Sequence, residues 1–360
     1  MKVCIIGDGL GSMALAKVLI QKELSVDILL SRKNNKYDKS RTLGISKSNI
    51  DYFNKKILNI KKILWEIKNI KVYSENLSNE EILNFSNDKK PIFSIIKNFE
   101  LYEILKKNLK KSKLVRFIYN RNFKNVSKDK YSLIINCDSS NKIPRLFQPV
   151  KFEKKYDSFA YTTIINHKKK ITNNTAFQNF TKNGPIAFLP ISNTRTSVVY
   201  SLRKTKINKE INIKNLIKEF NPNYSIIKIN DCTKFELNYS VPRKYFKDNI
   251  LSFGDQLHKI HPLAGQGFNM SLRDIQLLSK LIDERINIGL DLDNSLLYDF
   301  QKNIQDKNYI FTSSIDFIYE LFNYESKFNS KLISKIIKAF GKNKSLNTFF
   351  KKFADNGIKI

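Results

Sequence analysis

A dense pattern of glycine, histidine and carboxylate residues occupies positions 254–274, which read GDQLHKIHPLAGQGFNMSLRD. It follows an apolar run at 250–253 that predicts a short buried strand, and it precedes apolar residues at helical spacing. Asp255, at the end of the strand, can accept hydrogen bonds from hydroxyls of a ligand. Gly265 and Gly267 allow the backbone to approach a flat ligand, because glycine has no side chain. The amides at the following helix start offer partial positive charge to an electron-rich edge.

The amino terminus carries a second glycine pattern in a setting typical of nucleotide binding. Apolar residues predict a strand at 3–6, a helix at 13–19 and a second strand at 26–30. The first turn of this unit reads Gly7-Asp8-Gly9-Leu10-Gly11-Ser12. It brings bare backbone and a helix start to one point, which is the arrangement that binds the pyrophosphate of a dinucleotide.

Two positions in this unit depart from the usual dinucleotide pattern. Ser12 stands where the third glycine is expected, and serine is small enough for close packing of the helix on the strand. The second strand ends in Leu30-Ser31-Arg32, where an acidic residue would hold the adenosine ribose. We therefore expect a single hydrogen bond from Ser31 and a phosphate contact from Arg32.

Together these motifs resemble those of the FAD-dependent aromatic-ring hydroxylases related to p-hydroxybenzoate hydroxylase. The closest resemblance is to the branch that hydroxylates polyprenylated rings in ubiquinone biosynthesis. In the second motif the residues that match this branch are Gly254, Asp255, His258, His261, Pro262, Ala264, Gly265, Gln266, Gly267, Asn269, Leu272, Arg273 and Asp274. The stretches 38–48 and 176–190 resemble two further blocks, the second being a substrate-domain signature of the branch. After the strand predicted at 133–138, the family has Asp-Gly, whereas this chain has Asp138 and Ser139, which leaves the electron donor open.

The resemblance implies a bound FAD, reduced by NAD(P)H or another reductant, and hydroxylation of a phenolic ring through a flavin hydroperoxide. It assigns to the cofactor the residues Gly7, Gly9, Gly11, Ser12, Ser31, Arg32, Arg41, Asp255, Pro262, Gly265, Gln266, Gly267, Phe268 and Asn269. Asp255 would hold the ribityl chain, and Gly265 to Asn269 would line the edge of the isoalloxazine ring and stabilise its negative charge.

The residues expected to act at the reacting centre are Pro262, Gly265, Gly267 and His261. Pro262 and His261 would shape the side that faces the substrate. For His258 and His261, a structural role as hydrogen-bonded histidines is the stronger expectation, because this chemistry requires no histidine base. Candidates for the wall of the substrate pocket, with a plain core role equally open, are Phe180, Pro185, Leu189 and Pro190.

These elements predict an α/β fold with two interleaved domains and a helical carboxyl-terminal segment. A Rossmann-like FAD-binding domain would take residues 1–65, 98–150 and 235–300. A substrate domain with a mainly antiparallel sheet would take residues 66–97 and 151–234, and residues 301–360 would be helical. Within the substrate domain, Phe159–Ile165 and Thr196–Leu202 are predicted strands.

The chain is strongly basic, with 64 Lys and Arg against 33 Asp and Glu and a formal net charge of +31. The lysines are scattered and no nucleic-acid module is recognisable, which argues against a nucleic-acid partner. The last sixty residues combine apolar helical spacing with many lysines, which is typical of a helix at a membrane interface. A helical tail packed on the FAD domain with a solvated basic face is the alternative, and the stronger of the two expectations.

Location and cysteine usage complete the sequence-based expectations. No apolar run approaches the ~20 residues of a membrane-spanning helix, and a strand beginning at residue 3 predicts that there is no signal peptide. The three cysteines show no metal-binding spacing and fit a reducing cytoplasm. We expect a cytoplasmic protein, with peripheral contact at the inner face of the plasma membrane as the open alternative.

Two other functions stay open. The first is a flavin hydroxylase or epoxidase that acts on another small aromatic compound, against which the block at 176–190 argues. The second is a non-catalytic flavin-fold scaffold for other ubiquinone-biosynthesis enzymes, because Ser12, Ser31 and Ser139 weaken the FAD contacts expected from the family. In the main hypothesis the partners are a polyprenylated phenol and dioxygen.

Overall fold

The computed structural model describes residues 1–30, 38–87, 90–119, 126, 128–138, 150–204, 212–328 and 330–357. Its first sheet has six strands, five of them parallel, as predicted for a Rossmann-like domain. In spatial order the strands are Phe246–Lys247 (β16, antiparallel), Ile250–Ser252 (β17), Leu133–Asn136 (β9), Lys2–Ile6 (β1), Ser25–Leu30 (β2) and Val115–Tyr119 (β8). Because the carboxyl ends of parallel strands meet at one edge, the turns that follow β1, β9 and β17 lie next to one another.

The second sheet has eight strands and is mainly antiparallel. In spatial order its strands are Ile226–Ile229 (β14), Lys151–His167 (β10), Arg195–Arg203 (β13), Gly184–Pro190 (β12), Thr175–Thr181 (β11), Asn69–Ser74 (β5) and Glu80–Ser86 (β6), with Thr233–Pro242 (β15) paired to β10 off this path. The two strands predicted from sequence lie within β10 and β13 and pair antiparallel, which confirms that prediction. β15 joins this sheet through its pairing with β10, so the boundary proposed at residue 235 falls inside a strand of the second sheet.

A small third sheet and eight α-helices, with several short 3-10 helices, complete the described part of the fold. The third sheet is antiparallel and contains Thr42–Ser46 (β3), Phe93–Lys97 (β7) and Trp65–Ile67 (β4). The helices are Leu10–Ile20 (α1), Lys47–Lys56 (α2), Asn98–Leu109 (α3), Ile213–Glu219 (α4), Gln266–Asn287 (α5), Asn294–Lys327 (α6), Leu332–Lys342 (α7) and Lys344–Asn356 (α8). The carboxyl-terminal segment is therefore helical as predicted, although its first helix begins before residue 301.

The long helix α6 connects the cores of the two large sheets. Its amino-terminal half buries Leu297 and Phe300 in the main core cluster, together with residues of β1, α1, α3 and α5. Its carboxyl-terminal half buries Phe311 and Phe322 in a second apolar cluster against the eight-stranded sheet. A helix of 34 residues is about 51 Å long, which is enough to cross both domains.

A buried carboxylate joins three elements at the amino-terminal edge of the first sheet. Asp27 in β2 is 1% exposed and accepts two hydrogen bonds of 2.8 Å from the Arg116 guanidinium. It also accepts one of 2.9 Å from the Tyr131 hydroxyl and lies 2.9 Å from Lys2 Nζ. Burial alone would raise the pKa of Asp27, but these donors outweigh it and lower the pKa to about 2.

We expect Asp27→Asn to lower the free energy of unfolding by about 2 kcal/mol near neutral pH, because the cations around Asp27 lose their counter-charge. The penalty is smaller than for a fully buried pair, since the Arg116 side chain is 57% exposed. A lowered carboxyl pKa stabilises the fold above the unfolded value, so the difference between the two proteins is full above pH ~4 and vanishes toward pH ~2. Denaturant unfolding followed by the single tryptophan measures it, and a pH-independent difference would contradict this explanation.

Candidate functional site

Two helices that each begin at a glycine start side by side at the carboxyl edge of the first sheet. Gly9 precedes α1 and Gly265 precedes α5. A methyl group built on Gly11 would lie 3.9 Å from Ser271 Cβ, so the first turn of α1 lies close to the second turn of α5. The two glycine motifs, far apart in sequence, therefore form one site.

Open space in front of both helix starts fits a bound dinucleotide. A Cβ built on Gly9 or on Gly267 would meet no described atom within 4 Å. Neither helix has a side-chain N-cap within the described residues, so the first-turn amides are available to a ligand. The site thus offers two sets of amide donors, each beside a glycine whose built Cβ would meet no described atom, and FAD would require such donors for its pyrophosphate and its ring edge.

Gly7 is required by the backbone conformation of its turn, whereas Gly9 is not. Its φ is +99°, a conformation that L-residues with side chains rarely adopt. A Cβ at this position would lie 3.3 Å from the backbone nitrogen of Asp138, in the turn after β9. Gly7 therefore allows the turns after β1 and β9 to touch, whereas Gly9, with a φ of −64°, is compatible with other residues.

Polar groups surround this turn on the protein side. Asp8 accepts a hydrogen bond of 3.0 Å from the Tyr102 hydroxyl, and Asp255 is exposed in the short turn that follows β17. Ser12 is buried beside the Cys137 thiol, whose pKa is raised to about 12 by burial. Cys137 is therefore a protonated packing residue. Asp255 has the exposure that a contact with ligand hydroxyls requires.

Asn269 braces the start of α5 against β3. Its amide nitrogen donates to the Gly44 carbonyl at 2.9 Å and to the Gly265 carbonyl at 3.3 Å. Its oxygen accepts from the Ser46 amide at 2.9 Å and from Asn49 at 3.1 Å. All of the side chain's hydrogen-bonding capacity is thus used within the protein, so only its backbone amide is left for a ligand.

The junction between the start of α5 and strand β3 has a glycine on each side, Gly265 and Gly44. Gly265 adopts a φ of +61°, and a Cβ there would lie 3.3 Å from the Gly44 nitrogen. The loop before α5 and strand β3 are therefore in direct backbone contact. A ligand at the start of α5 would also lie beside β3.

The carboxyl-terminal residues reach the same junction, which the sequence did not reveal. Asp355 accepts hydrogen bonds from the Ser48 amide through its carboxylate and from the Ser46 and Ser48 hydroxyls through its carbonyl, at 2.9–3.0 Å. It thereby caps the amino terminus of α2, whose own N-cap, Ser46, makes no side-chain cap. Gly357 packs on the Arg273 guanidinium, and Arg273 also lies over the Phe311 ring at 4.5 Å.

The two histidines of the second motif have different surroundings. His258 Nε2 lies 2.7 Å from Asp274, which also accepts from Asn308 at 3.2 Å, so His258 is hydrogen-bonded as expected. His261 has no hydrogen-bond partner among the described residues and packs between Tyr156 and Tyr319, at centroid distances of 5.4 and 4.2 Å. Burial lowers the pKa of His261 to about 3, so the ring is neutral. It holds the loop by aromatic packing rather than by the expected hydrogen bonds.

The other predicted cofactor residues occupy varied positions. The Arg41 guanidinium lies 5.0 Å from the Phe235 ring centroid, on the second sheet, and Phe268 points into the main core. Gln266 is buried and accepts from Arg273 at 3.4 Å. Ser31, Arg32 and Ser139 lie outside the described residues. Pro262 is half-buried at the turn before α5.

An apolar cluster adjoins the loop before α5. Leu263, next to Pro262, packs with Phe180 of β11 and with α6 in this second cluster. The Phe180 and Phe322 rings are stacked at a centroid distance of 3.5 Å. Of the other predicted wall residues, Pro185 lies opposite Phe180 in β12, whereas Leu189 packs toward the small third sheet and Pro190 is buried at the end of β12.

Comparison with known proteins agrees with this architecture. A family model described as an FAD binding domain matches residues 134–287. The chain is 23% identical over 235 residues to the ubiquinone biosynthesis monooxygenase COQ6 of Xenopus tropicalis, covering 53% of this chain and 50% of that protein. It is 23% identical over 275 residues to COQ6 of Schizosaccharomyces pombe, covering 63% and 57%. These matches place an FAD binding domain within this chain, at residues 134–287.

Solved structures show the same fold over nearly the whole chain. p-Nitrophenol 4-monooxygenase PnpA from Pseudomonas putida superposes with a TM-score of 0.79 at 12% identity, covering 99% of this chain and 98% of that one. Klebsiella pneumoniae HpxO, complexed with FAD and uric acid, gives 0.75 at 12% identity, covering 99% and 97%. The fold class is thereby confirmed. The chain spans about half the length of the COQ6 proteins that it matches.

For the candidate FAD site, the two amino-terminal glycines give opposite expectations. Gly9→Val should fold with the thermal stability of the wild type and lose FAD affinity by about a hundredfold, because its side chain fills the space in front of α1. Gly7→Val should unfold at lower temperature, since its backbone conformation and the Asp138 contact forbid a side chain. Thermal melts and FAD titration measure both. Normal FAD binding by folded Gly9→Val would contradict the site.

Loss of the Asn269 brace should destabilise the fold by about 2–4 kcal/mol in Asn269→Ala, because the buried Ser46 amide loses its acceptor. Asn269→Asp should be at least as unstable as Asn269→Ala, since a carboxylate oxygen would face the Gly44 and Gly265 carbonyl oxygens. Asn303→Ala, on the exposed side of α6, is the matched control and should stay within about 0.5 kcal/mol of the wild type. Denaturant midpoints measure the three variants, and a neutral Asn269→Ala would contradict the bracing role.

Proposed function

We propose that this protein is an FAD-dependent monooxygenase that hydroxylates the aromatic ring of a polyprenylated phenol in ubiquinone biosynthesis. The observation that supports the proposal is the pair of helices α1 and α5, whose amino termini lack side-chain caps. A Cβ built on Gly9 or Gly267 would meet no described atom, and an apolar cluster lies beside the start of α5. The COQ6 relatives, named for ubiquinone biosynthesis, favour the polyprenylated substrate class.

In this proposal the FAD site is divided between the two glycine motifs. The amides at the start of α1 would bind the pyrophosphate, and Asp255 would accept hydrogen bonds from the ribityl hydroxyls. The first-turn amides of α5, from Gly267 to Asn269, would face the ring edge and stabilise negative charge there. FAD, when bound and reduced by NAD(P)H or another reductant, would supply the activation of dioxygen.

The roles of the protein's own residues follow from their surroundings. Pro262 and Leu263 lie between the start of α5 and the apolar cluster, where they would exclude water from the reacting ring. His261 is neutral and enclosed by tyrosines, and the Cys137 thiol is protonated, so neither is assigned proton transfer. Catalysis would rest on placement of the substrate and on the α5 amides, with Gly265 and Gly267 providing the close approach.

The apolar cluster suggests where a prenyl chain would pack. Its members in β11 and α6 include the stacked pair Phe180 and Phe322, and Leu263 connects it to the loop before α5. A phenol ring near Pro262 would thus have apolar side chains within reach of its tail. For location, the proposal includes peripheral contact with the inner face of the plasma membrane, where such a substrate would dissolve.

Turnover with labelled dioxygen tests the activity. The FAD-loaded protein, given NADH or NADPH, should transfer one labelled oxygen atom to a polyprenylated phenol, detected by mass spectrometry. Leu263→Ala should raise the KM for this substrate more than for p-hydroxybenzoate. Transfer only to the short phenol would support a hydroxylase of small aromatics instead. Bound FAD without oxygen transfer to either compound, with any reductant, would contradict the monooxygenase and favour a non-catalytic scaffold.

A further inference from the structure

Exposed apolar side chains are concentrated near the carboxyl terminus. Nineteen large hydrophobic residues are exposed in the described part of the chain, and ten of them lie between Tyr309 and Phe350. These ten are Tyr309, Ile310, Phe317, Ile318, Tyr324, Phe328, Leu332, Ile336, Phe340 and Phe350. Where exposed apolar side chains form a contiguous patch, they mark a place of contact with a partner or a membrane.

The inward face of α7 is fixed by polar and backbone contacts. The Ser334 amide donates to the Glu325 carboxylate at 2.8 Å, and the Ser334 and Ser74 hydroxyls are 2.7 Å apart. Gly341 passes so close to β6 that a Cβ there would lie 2.7 Å from the Ile82 carbonyl oxygen. Because this face is tied to α6, β5 and β6, the opposite face of α7 cannot turn inward.

The outward face of α7 is apolar along its whole length. Leu332, Ile336 and Phe340, spaced at i, i+4 and i+8, are 63%, 43% and 50% exposed. At the end of α6, Tyr324 and Phe328 are also exposed, and their rings stack at a centroid distance of 6.3 Å. We call these five side chains the α7 surface.

The charges around the α7 surface are mainly positive, although Glu80 of β6 pairs with Lys338 of α7. Between Glu325 and Asp355 the sequence contains eight lysines and no acidic residue. Lys331, Lys335 and Lys342 are exposed beside the apolar side chains. A second copy of this chain would bring the same positive charge and be repelled, whereas an anionic lipid surface offers both opposite charge and an apolar layer.

We infer that the α7 surface docks on the face of a bilayer that contains anionic lipid. Leu332, Ile336 and Phe340 would enter the boundary between headgroups and acyl chains, and the three lysines would contact the headgroups. No helix in the described ranges is long and apolar enough to cross a membrane. The contact that we infer is peripheral, through the α7 surface alone. This inference names the surface behind the proposed location and is independent of the proposed hydroxylation, because neither FAD nor substrate takes part.

Vesicle co-sedimentation of the full chain tests the docking. The wild type should bind vesicles of equal parts phosphatidylcholine and phosphatidylglycerol, and bind pure phosphatidylcholine much more weakly. Replacing Leu332, Ile336 and Phe340 by Gln should weaken binding by about tenfold or more. Replacing Lys331, Lys335 and Lys342 by Gln should weaken it about a hundredfold, at about fivefold for each lysine.

Matched variants separate a specific surface from general charge and apolarity. The control for the apolar set replaces Ile171, Ile227 and Ile288, which are 97%, 70% and 69% exposed elsewhere, by Gln. The control for the lysine set replaces the exposed Lys228, Lys247 and Lys302 by Gln. Both controls should bind vesicles about as well as the wild type. Thermal melts should show that all four variants are folded.

Three outcomes would overturn the inference. One is an absence of binding by the wild type to anionic vesicles. Another is equal loss of binding in the α7 variants and their controls, which would indicate diffuse attraction by the net charge. The third is a dimer, seen by analytical ultracentrifugation, that dissociates in the Leu332, Ile336 and Phe340 variant, which would assign the surface to a second copy. Each outcome leaves flavin binding and oxygen transfer to be judged separately.

Discussion

The direct backbone contact between Gly44 and Gly265, held by Asn269, is the constraint on which the site depends. The contact brings a strand of the small sheet to the start of α5, and the four hydrogen bonds of the Asn269 side chain fix its geometry. Because all polar atoms of this side chain are used internally, the α5 amides are held in place and stay available. Preorganised donors of this kind stabilise developing charge without reorganisation.

Other parts of the chain converge on the same junction. Asp355 caps α2 directly beside Ser46, so the last helix supports the strand that Asn269 holds. His258 and Asp274 connect the turn after β17 to α5, and His261 anchors the loop between them by packing on two tyrosines. Helix α6 passes behind both domains and contributes to each core. The position of the proposed FAD site is thus determined by contacts from nearly every region of the described chain.

The sequence predicted the parts of this arrangement that depend on local patterns. The βαβ unit, the strand at 250–252 and the helix after Gly265 all follow from apolar spacing and glycine placement, and the structure has them. The glycines at positions 7 and 265 were informative as well, because each adopts a positive φ angle that favours glycine. The same local patterns led to the prediction of two interleaved domains. The pairing of β15 with β10 could not be predicted from them, because it joins segments that are far apart in the sequence.

Contacts between distant segments were beyond sequence reasoning. The Asp355 cap has no local signature, because it joins residues about three hundred positions apart. From the sequence, Asn269 was predicted to contact the cofactor, because a side-chain amide beside a glycine turn can bind a ligand or brace the turn. Only the four hydrogen bonds of its side chain show that it braces the turn. His261 was expected to be hydrogen-bonded as most buried histidines are, yet Tyr156 and Tyr319 enclose it from β10 and α6, which no spacing in the motif indicates.

The measurement that tests the central claim most directly is the absorbance spectrum of the purified protein, with the released cofactor identified after denaturation. The account predicts a flavin spectrum with one FAD per chain, retained or regained when the protein is incubated with FAD. A folded protein that binds no flavin under these conditions would contradict it, because the space before Gly9 and Gly267 and the braced amides of α5 would then have no ligand to explain them.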